Sequence, residues 1–593
     1  MNDLSVESQS KTPKSKYFAR TLALVLFALI GSTFYLVYSA VEAEVHLAKV
    51  RSLLVTANTS SANFSANSAA SLLSEVKVEI ASAHQQTTGP IWWGVSRIPF
   101  LGRTPTAIRT AVSALDETFQ ATDDLQAKLE GADPKITLHD FKFVLSLSNS
   151  FLNLQAPIRN GAIELNRLHL SGVPNLISEP VRTLTSGYQA LVPVTTDAKP
   201  FSVIAPALFG LDKPRSWMLV FQNGAEARAI GGFPGGWGIL SASEGKLKLS
   251  KIRKGSELMN KRLLNYSEYV SADQAQLYGS DLSRFTDMNL SPDYPTNARL
   301  MMATEELNFG VRVDGVISMN EQALANLMQV SGSVTVGERV ITSENVSEYV
   351  TTGVYQDYPN QKLKDQAVFA IIEKTFEKFQ NGSVSPIRLL QAFLPATHDG
   401  NLHIWSKDSS LQSKILQLPL SGSMRNVNKP TAAVVFINGA GNKIDAYVST
   451  KVVYDQGVCE SEFPYRDASM DISLTNSAPT SGLPAYVTTR YDLGDLTPAN
   501  PGGTRMLVYA HVPLGSVFES ATLDGKNVSI TAEGIDMDRQ VFRLDVELPA
   551  SSTRNLIIKY AEPAIGDEPP PSLWTQPMPR PVSKQVIAGL GCN

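Results

Sequence analysis

The sequence predicts a multidomain α+β protein with an N-terminal transmembrane helix, a helical region, a central α/β domain and a C-terminal β-sandwich. Three observations predict it. Thr21 to Tyr38 is a run without a charged residue close to the N-terminus. Apolar residues at helical spacing, punctuated by proline, then dominate to about residue 210. Beyond that point short apolar runs alternate first with helical stretches and finally with turns alone. At 593 residues the chain is long enough for roughly two to four domains.

Lys11, Lys14, Lys16 and Arg20 precede the uncharged run, and Tyr17, Phe18, Tyr35 and Tyr38 flank it. A helix of about 18 apolar residues reaches across the hydrocarbon core with help from interfacial aromatics. The positive flank stays inside. Residues 1–20 are therefore expected as a cytoplasmic tail, 21–40 as a single-pass helix of the cell membrane, and the rest as extracytoplasmic. A signal peptide cleaved near the small residues of Ala40 to Ala43 is the alternative.

Residues 41–88 lack proline and are rich in Ala, Ser, Val and Leu, which predicts a helical stalk or hairpin. The segment Ile91 to Gly102 (IWWGVSRIPFLG) packs into a core or lies on the bilayer surface, and core packing is the reading preferred. Thr104-Pro105 reads as a helix cap followed by proline, and Ile108, Val112, Leu115 and Phe119 form one stripe. Residues 89–214 are thus expected to be a helical region.

The central domain, 215–455, opens on WMLVFQNGAEARAIGGFPGGWGIL, residues 217–240. Two buried strands enclose a loop. Asn223, Glu226 and Arg228 supply an amide, a carboxylate and a guanidinium, while glycines such as Gly231 and Gly232 permit φ > 0 and leave N–H groups uncovered. A loop of this kind suits a polar or anionic ligand. The alternative is a long β-connection whose glycines only turn the chain and whose Glu226 and Arg228 pair on the surface. A nucleotide fingerprint fails, because no helix follows the glycines. Farther on, Asp293 falls in a loop and Asp314 in or beside a strand over Leu307 to Ser318. A helix from Asn320 to Gln329 and a hairpin about Gly337 follow, then helices over Lys362 to Gln380 and Ile387 to Leu394. Strands are expected over Leu402 to Trp405, Ala432 to Ile437 and Ile444 to Ser449.

Residues 456–565 alternate short apolar runs with turns, Asp524-Gly525 being the clearest, and predict an immunoglobulin-like sandwich. Residues 566–593 form a proline-rich extended tail that lies on the domain surface, binds a partner or serves as a spacer, the spacer being the reading preferred. Cys459 and Cys592 flank the sandwich and are the candidate disulfide outside the cytoplasm. Their spacing fits no zinc site.

A net charge of -4 without a basic tract argues against nucleic-acid binding. The seven histidines are scattered, and their one cluster, His398-Asp399 with His403, reads as a solvated loop. Esterase, metalloprotease and protein-kinase signatures are missing. The residues themselves call for no cofactor.

The stretches FQNGAEARAIGGFPGGWGIL, GPIWWGVSRIPFLGRTP, SPDYP, VDGVISMNEQALANLMQVSGSVTV and GNKIDAYVSTKVVY, in this order of position from about Pro90 to beyond Tyr454 except that GPIWWGVSRIPFLGRTP comes first, resemble the bacterial family known as domain of unknown function 4012. That resemblance implies a membrane-anchored protein of the cell envelope, as in actinobacteria, associated with polysaccharide. WMLVFQNGAEAR, WGILSAS and GKLKLSKIRKG are more distantly similar to the core of LytR-CpsA-Psr phosphotransferases, which move glycopolymers from polyprenyl pyrophosphate carriers to the cell wall. That analogy implies that Arg228 and Arg253 neutralise pyrophosphate, with Asp293 or Asp314 holding a divalent cation or acting as base. The expected roles are binding of a glycopolymer or its lipid-linked precursor, transfer of that polymer, or a structural scaffold.

Overall fold

The computed structural model describes residues 35–36, 38–50, 52–53, 65–133, 136, 140–258, 261–380, 386–424, 432–457, 465–496, 498–564 and 570–589. The expected membrane span falls mostly outside them, and Cys459 and Cys592 lie outside them altogether. Among the described residues no helix is long and apolar enough to cross a membrane. The architecture is a mixed α/β multidomain one, with helices and several sheets. The chain forms two compact units that divide between Thr196 and Asp197.

The first unit is helical. Residues 38–50 run antiparallel to Ala66–Thr87, with Ala43 meeting Ala83 and Val50 meeting Val76 and Ile80. The helix Arg103–Gln120 carries the expected stripe, but it starts at Arg103, and no side chain caps it. Ser148–Asn166 packs on it through Ile158 and Ala162 against Ala114.

In the second unit, β1 (Arg215–Asn223) lies between an antiparallel partner, β2 (Phe233–Ser243), and a parallel one, β5 (Gly315–Met319). β3 (Lys246–Leu249) and β4 (Arg253–Lys254) pair with β2. The hairpin of β6 (Val334–Val336) and β7 (Arg339–Ile341) turns at Gly337 as expected, and β8 (Leu402–Ser406) closes the edge beside β5. The sheet is buried on both faces. Met218 and Val220 point with Trp237, Val316 and Trp405 toward one core. Leu219, Leu240, Ile317 and Leu402 point to the other, where Phe209, Phe376 and Phe393 cover them. This two-residue alternation explains why the strand reads as a continuous apolar run.

Several sequence-based boundaries change. Leu307 to Ser318 is not one strand: the helix Tyr294–Phe309 runs into it, Gly310 ends that helix with positive φ, and β5 begins at Gly315. β9 (Ala432–Asn438) and β10 (Val448–Asp455) belong to the C-terminal sandwich rather than the central domain. β9 pairs with β12 (Thr504–Pro513), and β10 with β11 (Tyr465–Asn476). β13 (Val517–Leu523), β14 (Lys526–Val528) and β17 (Ser552–Pro563) extend the sheet of β11, while β15 (Ala532–Asp536) and β16 (Arg539–Leu548) extend that of β12. Ala485–Thr488, within the region expected to hold only strands and turns, is a short helical turn. The proline-rich tail is no spacer. Its β18 (Leu573–Thr575) adds to β9 and its β19 (Ser583–Ile587) to β10, one strand for each sheet.

β9 also joins the two domains. Ala432, Val434 and Phe436 enter the sandwich core, and Val435 and Ile437 enter the core of the central sheet with Tyr509 and Val541. One strand therefore serves two hydrophobic cores, which holds the sandwich against the central domain.

Candidate functional site

The loop between β1 and β2 is buried throughout residues 224–232 and wedged between the central sheet and the sandwich. Its backbone is bound on both sides. Ala227 N–H donates to Asp445 Oδ2 at 2.8 Å, Asn438 N–H to the Ala227 carbonyl at 2.9 Å, and Asn289 Nδ2 to the Gly232 carbonyl at 2.8 Å. Gly231 and Gly232 have φ of 73° and 117°, which keeps the return to β2 short. The expected pairing of Glu226 with Arg228 occurs, but inside the protein. Arg228 donates to Glu226 at 2.8 Å and to Asp287 at 3.1 Å, and Lys443 donates to the other Glu226 oxygen at 2.8 Å. Burial works against the Arg228 charge, and the two carboxylates outweigh it and hold its pKa above the ordinary arginine value.

This ion chain forms part of the wall of a cleft of about 880 Å3. The end of the central sheet contributes Asn223, Phe233 and Gly235. The helix Gln361–Gln380 adds Lys364, Asp365 and Phe369, and the sandwich adds Lys443, Tyr486, Tyr491, Arg505 and Tyr509. Asn223 donates to the Val350 carbonyl at 3.1 Å and to the Tyr355 hydroxyl at 3.3 Å, fixing that ring in the wall. Lys443 Nζ lies 5.1 Å from the Phe233 ring centre and Lys364 Nζ 5.7 Å from that of Tyr355. Burial lowers the Lys364 pKa despite its contact with Asp365.

Glu321, which sequence reading missed, also lines the cleft. Asn320 caps the helix Glu321–Ser331 by accepting from Gln322 and Ala323, so Glu321 is fixed in its first turn. Its carboxyl accepts from Gly224 N–H at 3.2 Å, and burial pushes its pKa up to about 7. The one available signal was the Asn-Glu start of the predicted helix.

Three expected site residues lie elsewhere. Arg253 stacks on Phe309 at 3.9 Å and donates to Glu305 at 3.3 Å, away from the cleft wall. Asp293 precedes the helix Tyr294–Phe309 and accepts from Thr296 Oγ1 at 2.7 Å. Asp314 accepts from Ser216 N–H at 2.8 Å and ties β1 to the start of β5. These contacts hold structure, and the pyrophosphate geometry drawn from the LytR-CpsA-Psr analogy does not form around Arg228. His403, expected in a solvated loop, is buried in β8 with its ring 5.2 Å from that of Tyr294. Among the described residues no group of three or more His, Cys, Asp and Glu side chains is placed to hold a metal ion.

No curated protein matches the sequence. One solved structure, of a candidate nutrient binding protein from Legionella pneumophila, is 9% identical with a TM-score of 0.15. It covers 22% of this chain and 44% of that one, so the chain spans less than half its length. Residues 212–355, which hold β1, β2, the loop between them and Glu321, match the family described as Protein of unknown function (DUF4012), the family that the sequence motifs resemble.

Proposed function

We propose that the chain is a membrane-anchored extracytoplasmic protein that binds an anionic glycopolymer, or its lipid-linked precursor, in this cleft. The observation that carries the reading is the composition of the wall. Phe233, Phe369, Tyr486 and Tyr491 supply ring faces, and eight basic side chains stand against six carboxylates. Ring faces suit the C–H faces of sugars, and the surplus of cations suits phosphate or carboxylate groups along a polymer. The uncharged run from Thr21 to Tyr38 behind a basic flank supports the anchor and the outward orientation.

Transfer from a pyrophosphate carrier is the second reading, and Glu321 favours it. A buried carboxyl titrating near 7 at a cleft wall has the properties of a general acid or base. Against it stands Arg228, whose guanidinium is engaged by two carboxylates. Titration of the detergent-solubilised full chain with an anionic wall glycopolymer, and with neutral dextran of equal length, tests the binding reading. Salt-sensitive binding of the anionic polymer alone is expected; equal binding of both, or of neither, would sink it. Release of free carrier lipid from a polyprenyl-pyrophosphate saccharide would establish transfer.

A further inference from the structure

We infer that the segment Trp93 to Leu101, with Leu176 beside it, docks on the surface of an anionic bilayer as a second membrane contact next to the anchor. The inference rests on the reading of Thr21 to Tyr38 as a membrane span and deepens it by naming a lipid surface as the partner of this patch.

Helix directions place the patch. In the first unit Ala43 meets Ala83 and Val50 meets Val76, with His46 and Lys49 both reaching Glu79 between them, so residues 38–50 run antiparallel to Ala66–Thr87. His84 meets Asp116 at 2.5 Å while Lys77 meets Asp123, so Arg103–Gln120 runs antiparallel again. The turn at 88–102 is therefore at the same end as residue 38. A side-chain bond fixes this: Trp92 Nε1 donates to Ser39 Oγ at 3.0 Å, one residue beyond the uncharged run. The turn at 167–174 is at this end too, because Arg103 donates to the Ser171 carbonyl at 2.7 Å. If the run up to Tyr38 spans the bilayer, both turns face the headgroups.

These turns carry apolar side chains that cover nothing. Trp92 is buried, but Trp93 is 51% exposed, Phe100 81%, Leu101 72% and Leu176 80%. Phe100 has φ of 65°, a left-handed conformation that costs a non-glycine residue about 1 kcal/mol or more. That cost is met while the ring is presented to solvent. Along the segment from Trp93 to Leu101 the charge has one sign, and beside Leu176 the exposed pair of Glu179 and Arg182 adds no net charge. No acidic residue occurs between Glu79 and Asp116, whereas Arg97, Arg103 and Arg109 do. Arg97 lies 3.8 Å over the Trp93 ring and Arg103 5.3 Å from that of Phe100. Glu42 and Glu44, the nearest carboxylates on the first helix, are about 5 to 8 Å of helix rise past Ser39. Aromatic and aliphatic tips backed by arginines match the interface of an anionic leaflet.

The test reconstitutes the full chain in phosphatidylcholine and phosphatidylglycerol vesicles whose acyl chains carry bromine, and reads quenching of tryptophan emission. Quenching is expected in the wild type, reduced in Trp93→Phe and abolished in the double variant Phe100→Asp, Leu101→Asp. No quenching in the wild type, or equal quenching in wild type and double variant, would overturn the inference. Both aspartates replace exposed side chains, and an unchanged melting curve checks the fold; Trp93→Phe carries the test should the double variant fail to fold. An alkaline carbonate wash reads the anchor separately. Retention without quenching overturns the docking alone, and extraction with quenching overturns the span alone.

Discussion

Arg228 donates to Glu226, a residue two positions earlier in its own loop, at 2.8 Å, and both side chains are almost fully buried. The pair is the centre of a longer chain of alternating charge. Lys443 of the sandwich binds Glu226, Arg228 binds Asp287, and Arg284 binds both Asp287 and Asp281. Three cations and three carboxylates thus run from the interdomain interface to the surface with no net charge.

Removing a central member leaves a buried carboxylate without its partner. Arg228→Met is therefore expected to lower the free energy of unfolding by about 3–5 kcal/mol. Arg284→Ala acts at the exposed end and should cost about 1 kcal/mol or less. Urea denaturation of both variants checks the order, and equal losses would contradict the buried chain.

Glu321 and Asp445 give the fold a pH dependence. Burial pushes both carboxyls up to about 7, against the hydrogen bonds they accept. In the unfolded chain they release their protons near pH 4, so between about 4 and 7 the native state binds more protons. Stability from these groups is complete below about pH 4 and is lost as pH rises through 7. Glu321→Gln removes one of them while keeping an acceptor for Gly224 N–H. It should leave stability unchanged near pH 4 and raise it above pH 7 by on the order of 2 kcal/mol. A variant with the wild-type slope would show that Glu321 is ionised in the folded protein throughout.

Two glycines of the same hairpin separate backbone need from open space. A Cβ on Gly232 would lie 2.4 Å from the Asn223 carbonyl, and its φ is 117°, whereas nothing lies within 4 Å of the Cβ position of Gly235. Gly232→Ala should cost about 2 kcal/mol or more through strain and clash, and Gly235→Ala should leave stability within about 0.5 kcal/mol of the wild type. Thermal melts of the two variants decide it.

The central strands, the hairpin at Gly337 and the polar loop were legible because each depends on local spacing and turn chemistry. The partners of the loop were not, since Asp287, Glu321, Lys443 and Asp445 approach it from 59 to 218 residues away. Arg253 shows a smaller failure. Strand side chains alternate, so of the adjacent cations in β4 one faces Glu305 and Phe309 and the other, Lys254, faces the cleft. Sequence pattern located the strand but not its parity. The tail misled for another reason: its prolines exclude a central strand, but not the edge positions that β18 and β19 occupy.

The tail is held by a side chain that imitates a strand. Gln576 Oε1 accepts from Phe436 N–H at 3.3 Å and its Nε2 donates to the Phe436 carbonyl at 2.5 Å. Gln576→Ala leaves both backbone groups buried and unpaired, so a loss of about 2–4 kcal/mol is expected. Faster hydrogen exchange at Phe436 in the variant would identify the cause, and unchanged exchange would exclude it.

Gly235 offers the most direct test of the cleft as a binding site. It lies in the wall, in β2, without the positive φ that would penalise a side chain. Gly235→Trp places a large ring into the open volume and disturbs no packed atom at its Cβ. The variant should melt with the wild type and bind the anionic glycopolymer at least about tenfold more weakly, a change of about 1.4 kcal/mol. Undiminished binding would place the polymer elsewhere on the chain. Reduced binding with a lowered melting temperature would mean that the ring had displaced the helix Gln361–Gln380, and Gly235→Ala, which adds one methyl group, would then separate occupancy from distortion.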